Sequence, residues 1–154
     1  MIQKLKQYQL LLVGVFAFVF LFAGCKYELG PIISFVSEET RIGRGWKFSK
    51  VYHNKVLVTN GSADSVVYTT SLLGFDTKGR FSFLVSDLRV GHKGNTLYNG
   101  NWAFDNDKKD LVLKYDNDGR PTKTYRIFKL TEADLNLRLD EAGDVTEYYL
   151  VQTK

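Results

Sequence analysis

The chain has 154 residues, which allows one domain of ordinary size because domains cluster near roughly 100–150 residues. It is 44% hydrophobic, 14% aromatic and 25% charged with only 2 Pro, and this balance excludes a disordered or collagen-like chain. The formal net charge of +4 is spread over 21 basic and 17 acidic residues without a long basic run, so nucleic acid is not an expected partner. Nine Tyr, eleven Phe and two Trp favour strands and predict an all-β fold.

The N-terminus has the features of an export signal. Lys4 and Lys6 are the only charges before a run of fourteen residues without a polar side chain, Leu10 to Ala23. That run is shorter than the roughly 20 apolar residues that span a bilayer as a helix. The pattern predicts a signal peptide over residues 1–24.

The apolar run leads into small residues directly before the only cysteine, in the order Leu21-Phe22-Ala23-Gly24-Cys25. This segment resembles the lipobox of bacterial lipoproteins. The resemblance implies cleavage before Cys25 and acylation of its sulfur and of the new N-terminus by palmitate-type chains. The alternative is an ordinary secretory signal with an incidental cysteine. By resemblance to Gram-negative lipoproteins, Lys26 after the cysteine implies the outer membrane, and the choice between the periplasmic face and the cell surface stays open.

A lipid-anchored tether is predicted over residues 25–45. Its segment Pro31–Val36 is too apolar for a free linker, so part of the tether is expected to dock on the domain. An alternative for the last part is a short helix that ends at Gly43, because Glu38 and Glu39 would place acids in its first turn.

Residues 46–154 are predicted to form the folded domain. About eight short runs of alternating apolar and polar residues are separated by Gly, Asn and Asp clusters, a spacing typical of sandwiches and barrels. The runs are 46–58, 65–75, 80–88, 96–105, 110–115, 123–130, 135–140 and 145–153. One face of the run 135–140 is all leucine and the other is charged or amide, so each strand is expected to bury one face. The prediction is an eight-stranded antiparallel up-and-down barrel.

The order of these elements resembles the lipocalin-like lipoproteins of Gram-negative bacteria. The resemblance rests on Gly45-Trp46-Lys47-Phe48 at the first strand, a hairpin over 73–81, Gly100-Asn101-Trp102-Ala103-Phe104 in a middle strand, and the run 125–131. It implies a single calycin-type barrel that binds a small hydrophobic or amphipathic ligand.

In such a barrel alternate connections gather at one end, so the loops 54–64, 88–95, 116–122 and 140–145 are expected to surround one mouth. The predicted polar ligand contacts there are Arg89, His92, Lys93 and Arg120. The predicted apolar walls are Tyr98, Trp102 and Phe104, which share one strand face. The alternative is a core filled by side chains, because eight strands enclose little more than that.

No metal, cofactor or enzymatic activity is predicted. His53 and His92 would lie near the mouth with carboxylates, but their spacing matches no metal-binding motif. The sequence holds no nucleophile elbow, phosphate loop or zinc-protease motif, and lipidation would consume the thiol of Cys25.

Three functions remain open from the sequence. The first is a lipid-anchored outer-membrane lipoprotein whose barrel binds a small hydrophobic or amphipathic molecule. The second is a non-catalytic structural or accessory subunit of an outer-membrane protein complex, with Pro31–Val36 docked on the partner. The third is an inhibitor that inserts a loop into a hydrolase.

Overall fold

The computed structural model describes residues 36–58, 70–87, 94–116 and 119–153. The predicted signal peptide, Cys25 and the segment 26–35 of the tether lie outside the described residues. The described ranges contain one complete short helix and nine strands: α1 (Glu38–Ile42), β1 (Gly45–His53), β2 (Val56–Leu57), β3 (Leu72–Phe75), β4 (Arg80–Asp87), β5 (Gly94–Asp105), β6 (Asp110–Tyr115), β7 (Lys123–Leu130), β8 (Asp134–Glu141) and β9 (Asp144–Gln152). Over these ranges no helix has the length and apolarity needed to cross a membrane.

The strands form a closed antiparallel barrel. Each strand from β3 to β9 pairs with the next along the chain, and β1 pairs with both β3 and β9. Among the described strands, the short β2 pairs only with the end of β1, and closure is made by β1 with β9. Eight strands, β1 and β3 to β9, therefore make the barrel, and the predicted up-and-down topology is confirmed.

The prediction of one continuous strand over residues 46–58 is wrong. The chain leaves β1 at Asn54 and Lys55, whose φ angles of 49° and 67° reverse its direction into β2. The Asn54 side chain stabilises this turn by accepting a hydrogen bond from Val145 N at 2.9 Å and donating one to Asp144 Oδ1 at 2.8 Å. The turn depends on contacts with β9, so the alternation of the run alone did not reveal it.

The end of the tether forms a helix, as the alternative interpretation predicts. Ser37 caps α1 by accepting a hydrogen bond from Thr40 N, and Gly43 follows as the C-cap residue. The helix packs against the barrel, because Ile42 is fully buried and Arg41 donates a hydrogen bond to the carbonyl of Leu130 at 2.8 Å. Residues 37–43 therefore belong to the packed domain.

The inward positions of the strands divide into two levels. Toward one end of the barrel, seven side chains are almost completely buried: Ile42, Trp46, Trp102, Leu111, Leu130, Leu135 and Leu150. Toward the other end, half-buried aromatic side chains pack against this core: Phe48, Phe83, Tyr115, Tyr125 and Tyr148. The barrel is solid at one end and aromatic-lined at the other.

Candidate functional site

The two ends of the barrel differ in how they are covered. The hairpins 76–79 and 106–109, the connection 131–133 and the helix α1 lie at one end, called here the closed end. The turn 54–55, the described part of the connection 116–122 and the turn 142–143 lie at the other end, called here the mouth. The described parts of the loops expected at the mouth lie there, whereas residues 59–64, 88–93 and 117–118 of those loops lie outside the described residues.

Hydrogen bonds and ion pairs fix the cover of the closed end. The indole Nε1 of Trp46 donates to the Ile42 carbonyl at 3.0 Å, which joins β1 to the helix. Lys108 Nζ lies 2.5 Å from a Glu39 carboxylate oxygen. The hydrogen bond from Lys108 lowers the pKa of Glu39, and the same contact raises the pKa of Lys108. The helix is therefore tied both to its own strand and to the β5–β6 hairpin, and it covers this end of the described barrel.

A cavity of about 140 Å³ lies inside the barrel on the mouth side of the solid core. Its eight lining residues come from seven strands: Phe48, Leu73, Phe83, Leu113, Tyr115, Tyr125, Leu137 and Tyr148. Four of the five aromatic rings in this set make edge or tilted contacts with one another. Phe48 lies 5.9 Å from both Phe83 and Tyr148, and Tyr125 lies 6.0 Å from Tyr148, between ring centroids. Because the rings support each other, the apolar wall is formed before any ligand enters.

The wall is not purely apolar, because three of its residues are tyrosines. A phenol hydroxyl can donate one hydrogen bond and accept others, so these three side chains are the polar residues of an otherwise apolar lining. The cavity can therefore hold a small apolar ring or chain that carries one polar atom.

Arg120 lies over the aromatic residues of the mouth. Its guanidinium carbon is 3.9 Å from the ring centroid of Tyr98 and 5.8 Å from that of Tyr115. Tyr98 in turn contacts Tyr115 edge to face, with centroids 6.2 Å apart. Since Tyr115 lines the cavity, the structure brings the predicted polar contact Arg120 and the predicted wall residue Tyr98 to the rim of the same pocket.

The structure places two of the predicted wall residues elsewhere. Trp102 and Phe104 lie toward the closed end and do not line the cavity, although they share the inward face of β5 with Tyr98. Trp102 is 7% exposed, and its Nε1 donates a hydrogen bond to the Asp76 carbonyl at 2.9 Å. Phe104 contacts the Trp102 ring at 5.3 Å and lies beneath Lys108. The strand β5 has twelve residues and runs the full length of the barrel. Its inward face therefore contributes residues both to the solid core and to the rim of the cavity.

The remaining predicted contacts, Arg89, His92 and Lys93, lie outside the described residues. His53 is at the mouth end of β1, exposed, with Nδ1 3.2 Å from Thr146 Oγ1 and Nε2 3.9 Å from Asp144 Oδ1. In the part of the chain that the structure describes, no three His, Cys, Asp or Glu side chains are grouped as metal ligands.

Sequence reasoning missed all eight lining residues, although it named Tyr98 and Arg120 beside them. The alternation within each run places Phe48, Phe83 and Tyr148 correctly on the inward face. A single run does not show how far along the barrel axis each of these residues lies. A usable signal was the position along the strand: inward aromatic residues nearer the mouth end of each run line the cavity, and those nearer the closed end fill the core.

Comparison with known proteins finds a similarity in structure and none in sequence families. No protein-family model matches the chain, and no curated protein matches it. Among solved structures, the chain is similar to bovine odorant binding protein in complex with a selenium-containing odorant, with a TM-score of 0.46 and 17% sequence identity. The alignment covers 79% of this chain and 76% of that one. The barrel topology of this chain rests on its own strand register and closure.

Proposed function

We propose that the barrel binds one small amphipathic molecule in its interior cavity and that the protein carries this pocket on a lipid anchor at the outer membrane. The cavity is the observation that supports binding. The export signal and the lipobox-like residues before Cys25 support the anchor.

The size of the cavity limits the ligand. Pockets for drug-sized ligands measure roughly 300–1,000 Å³, and this one measures about 140 Å³. An apolar cavity of about 150 Å³ in another protein binds benzene. The expected ligand is therefore a single ring or a short branched chain with one hydroxyl or similar group, and a long acyl chain exceeds the space.

Native mass spectrometry of the full, lipidated protein extracted in mild detergent tests this function. The expected result is an adduct with the mass of one small organic molecule beyond the acyl chains of Cys25. Leu137→Phe places a ring into the cavity and should abolish the adduct, whereas the matched change Leu97→Phe, on a side chain that is 58% exposed, should keep it.

Two other results contradict parts of the proposal. A stoichiometric protein partner without a small adduct favours the structural or accessory role in an outer-membrane complex. An unmodified Cys25 thiol refutes the lipid anchor and leaves ligand binding by the barrel to be judged from the adduct alone.

A further inference from the structure

A row of leucines crosses the outside of the barrel. Leu84 on β4 lies directly opposite Leu72 on β3 and opposite Leu97 on β5. Their chain neighbours Leu73 and Phe83 face the interior, so by alternation all three leucines face outward. Leu72 is 43% exposed and Leu97 is 58% exposed. Single exposed leucines are common, but three in register on adjacent strands form a continuous apolar stripe. We call these three residues the leucine row.

Basic side chains adjoin the leucine row. Lys47 on β1 lies opposite Leu72 and so extends the row by one strand. Lys47, Lys50 and Lys55 are exposed, and none of them forms an ion pair with a described residue. Within the described ranges, alternation places no carboxylate on the outer face of β1, β3 or β4, and on β5 it places one, Asp105, at the closed end.

The opposite side of the barrel has a different character. Across β6 to β9 the outer face carries Asp110, Arg126, Arg138, Asp140 and Glu147, which surround a polar groove. Arg138 contacts Asp140 at 2.9 Å, so basic and acidic groups are interspersed on this side. The outer surface therefore divides into an apolar and basic side and a side of mixed charge with three carboxylates.

We infer that the side formed by β1, β3, β4 and β5 lies on the surface of a bilayer that contains anionic lipids, with the leucine row inserted at the headgroup level. This inference rests on the proposed lipid anchor. Exposed leucines gain free energy by leaving water for the acyl boundary, and lysines near anionic headgroups add electrostatic attraction. The far side, where three carboxylates and two arginines surround a polar groove, offers no comparable apolar and basic surface.

The tether is long enough for this orientation. Residues 26–36 number eleven and reach at most about 36–40 Å when extended. A domain of this size has a radius of gyration of about 13 Å, so a lipid at Cys25 allows the barrel to lie on its side as well as on its end. Contacts of the leucine row would select the first of these orientations.

Site-directed spin labelling of the full lipidated protein tests the inference. Acylation blocks Cys25, so a new cysteine is the one labelled site. Leu97→Cys labels the leucine row, and Thr124→Cys is the matched control, because Thr124 is exposed on the outer face of β7, which is four strands from β3 at the middle of the inferred side and two strands from β5. Both proteins are placed in vesicles of phosphatidylethanolamine and phosphatidylglycerol, and collisions of the label with oxygen and with a water-soluble nickel chelate are measured.

The expected result is a severalfold higher oxygen-to-nickel ratio at Leu97→Cys than at Thr124→Cys, and a smaller difference in vesicles of phosphatidylcholine alone. Equal, water-like ratios at both labels, with Cys25 acylated by mass spectrometry, would overturn the membrane-facing side and leave the anchor intact. Low access to both reagents at Leu97→Cys would show that a protein segment or a second copy covers the row, which also overturns it. An unacylated Cys25 would instead refute the anchor, and the inference with it.

Discussion

Two leucines of β8 provide a matched test of the cavity. Leu135 and Leu137 are two positions apart on the same inward face, with 0% and 2% of their surface exposed. Leu137 lines the cavity, whereas Leu135 packs in the solid core toward the closed end. Replacing each by alanine removes the same atoms, so the two variants differ only in where the space is created.

The expected losses of stability can be worked from this difference. Each leucine-to-alanine change removes about three buried carbon groups, or about 2.4 kcal/mol of transfer free energy at ~0.8 kcal/mol each. The new void adds a further cost, and measured totals run from about 2.7 to 5 kcal/mol. Leu137 already borders a void and has fewer contacts to lose, so Leu137→Ala should lie near the lower limit and Leu135→Ala nearer the upper one. Urea denaturation of the two variants and the wild-type protein measures these values.

Ligand size separates the two variants more sharply than stability does. Phenol serves as a single-ring probe and 1-naphthol as a two-ring probe, and binding is measured by calorimetry. The wild-type protein should bind phenol and exclude 1-naphthol, Leu137→Ala should accept 1-naphthol, and Leu135→Ala should keep the wild-type preference. At about 100 times its Kd, the accepted ligand should restore about 2.7 kcal/mol of stability. Binding of 1-naphthol by Leu135→Ala and not by Leu137→Ala would refute the assignment of the cavity.

Other substitutions test the supporting structure. Gly100→Ala should destabilise the fold by about 1–3 kcal/mol, because its Cβ would overlap a backbone carbonyl of the neighbouring strand. The control Gly94→Ala lies on the same strand, and its Cβ meets no atom within 4 Å, so its stability in urea denaturation should be nearly that of the wild-type protein. The lowered pKa of Glu39 stabilises the fold at pH values above 4.5, the ordinary pKa of the group, and this contribution is lost as the pH falls through the lowered pKa. Glu39→Gln should therefore reduce the loss of stability that acid causes. An unchanged pH dependence of stability would show that the contact with Lys108 adds nothing. Arg120→Gln should weaken calorimetric binding of benzoate several-fold and leave phenol binding unchanged, since a cation at the rim favours only the anion; equal effects on both ligands would contradict its place at the rim.

Local patterns in the sequence predicted the barrel well. β6 and β7 begin and end at the predicted residues, because each is bounded by turn residues and has a clear alternation of apolar and polar side chains. The helix α1 also follows from local signals, namely the Ser37 cap, two acids in the first turn and Gly43 at its end.

The candidate site was harder to predict, because it depends on how strands are offset around the barrel. Alternation shows that Tyr98 and Trp102 share the inward face of β5, but only the register with neighbouring strands shows that they lie at different levels. Phe48 reaches the cavity after Trp46 enters the core, and a bulge between Phe48 and Lys50 then shifts the register of β1 against β9. The cavity is therefore a product of packing between strands.

The most direct test of the central claim is a titration of the protein with phenol, followed by nuclear magnetic resonance of assigned leucine methyl groups. A ligand in the cavity should shift the methyl signals of Leu73, Leu113 and Leu137, which line it, and leave those of Leu135 and Leu150 in the solid core unchanged. If the signals of the cavity leucines stay fixed while the protein is saturated, or if only leucines on the outer surface respond, the barrel interior is not the binding site.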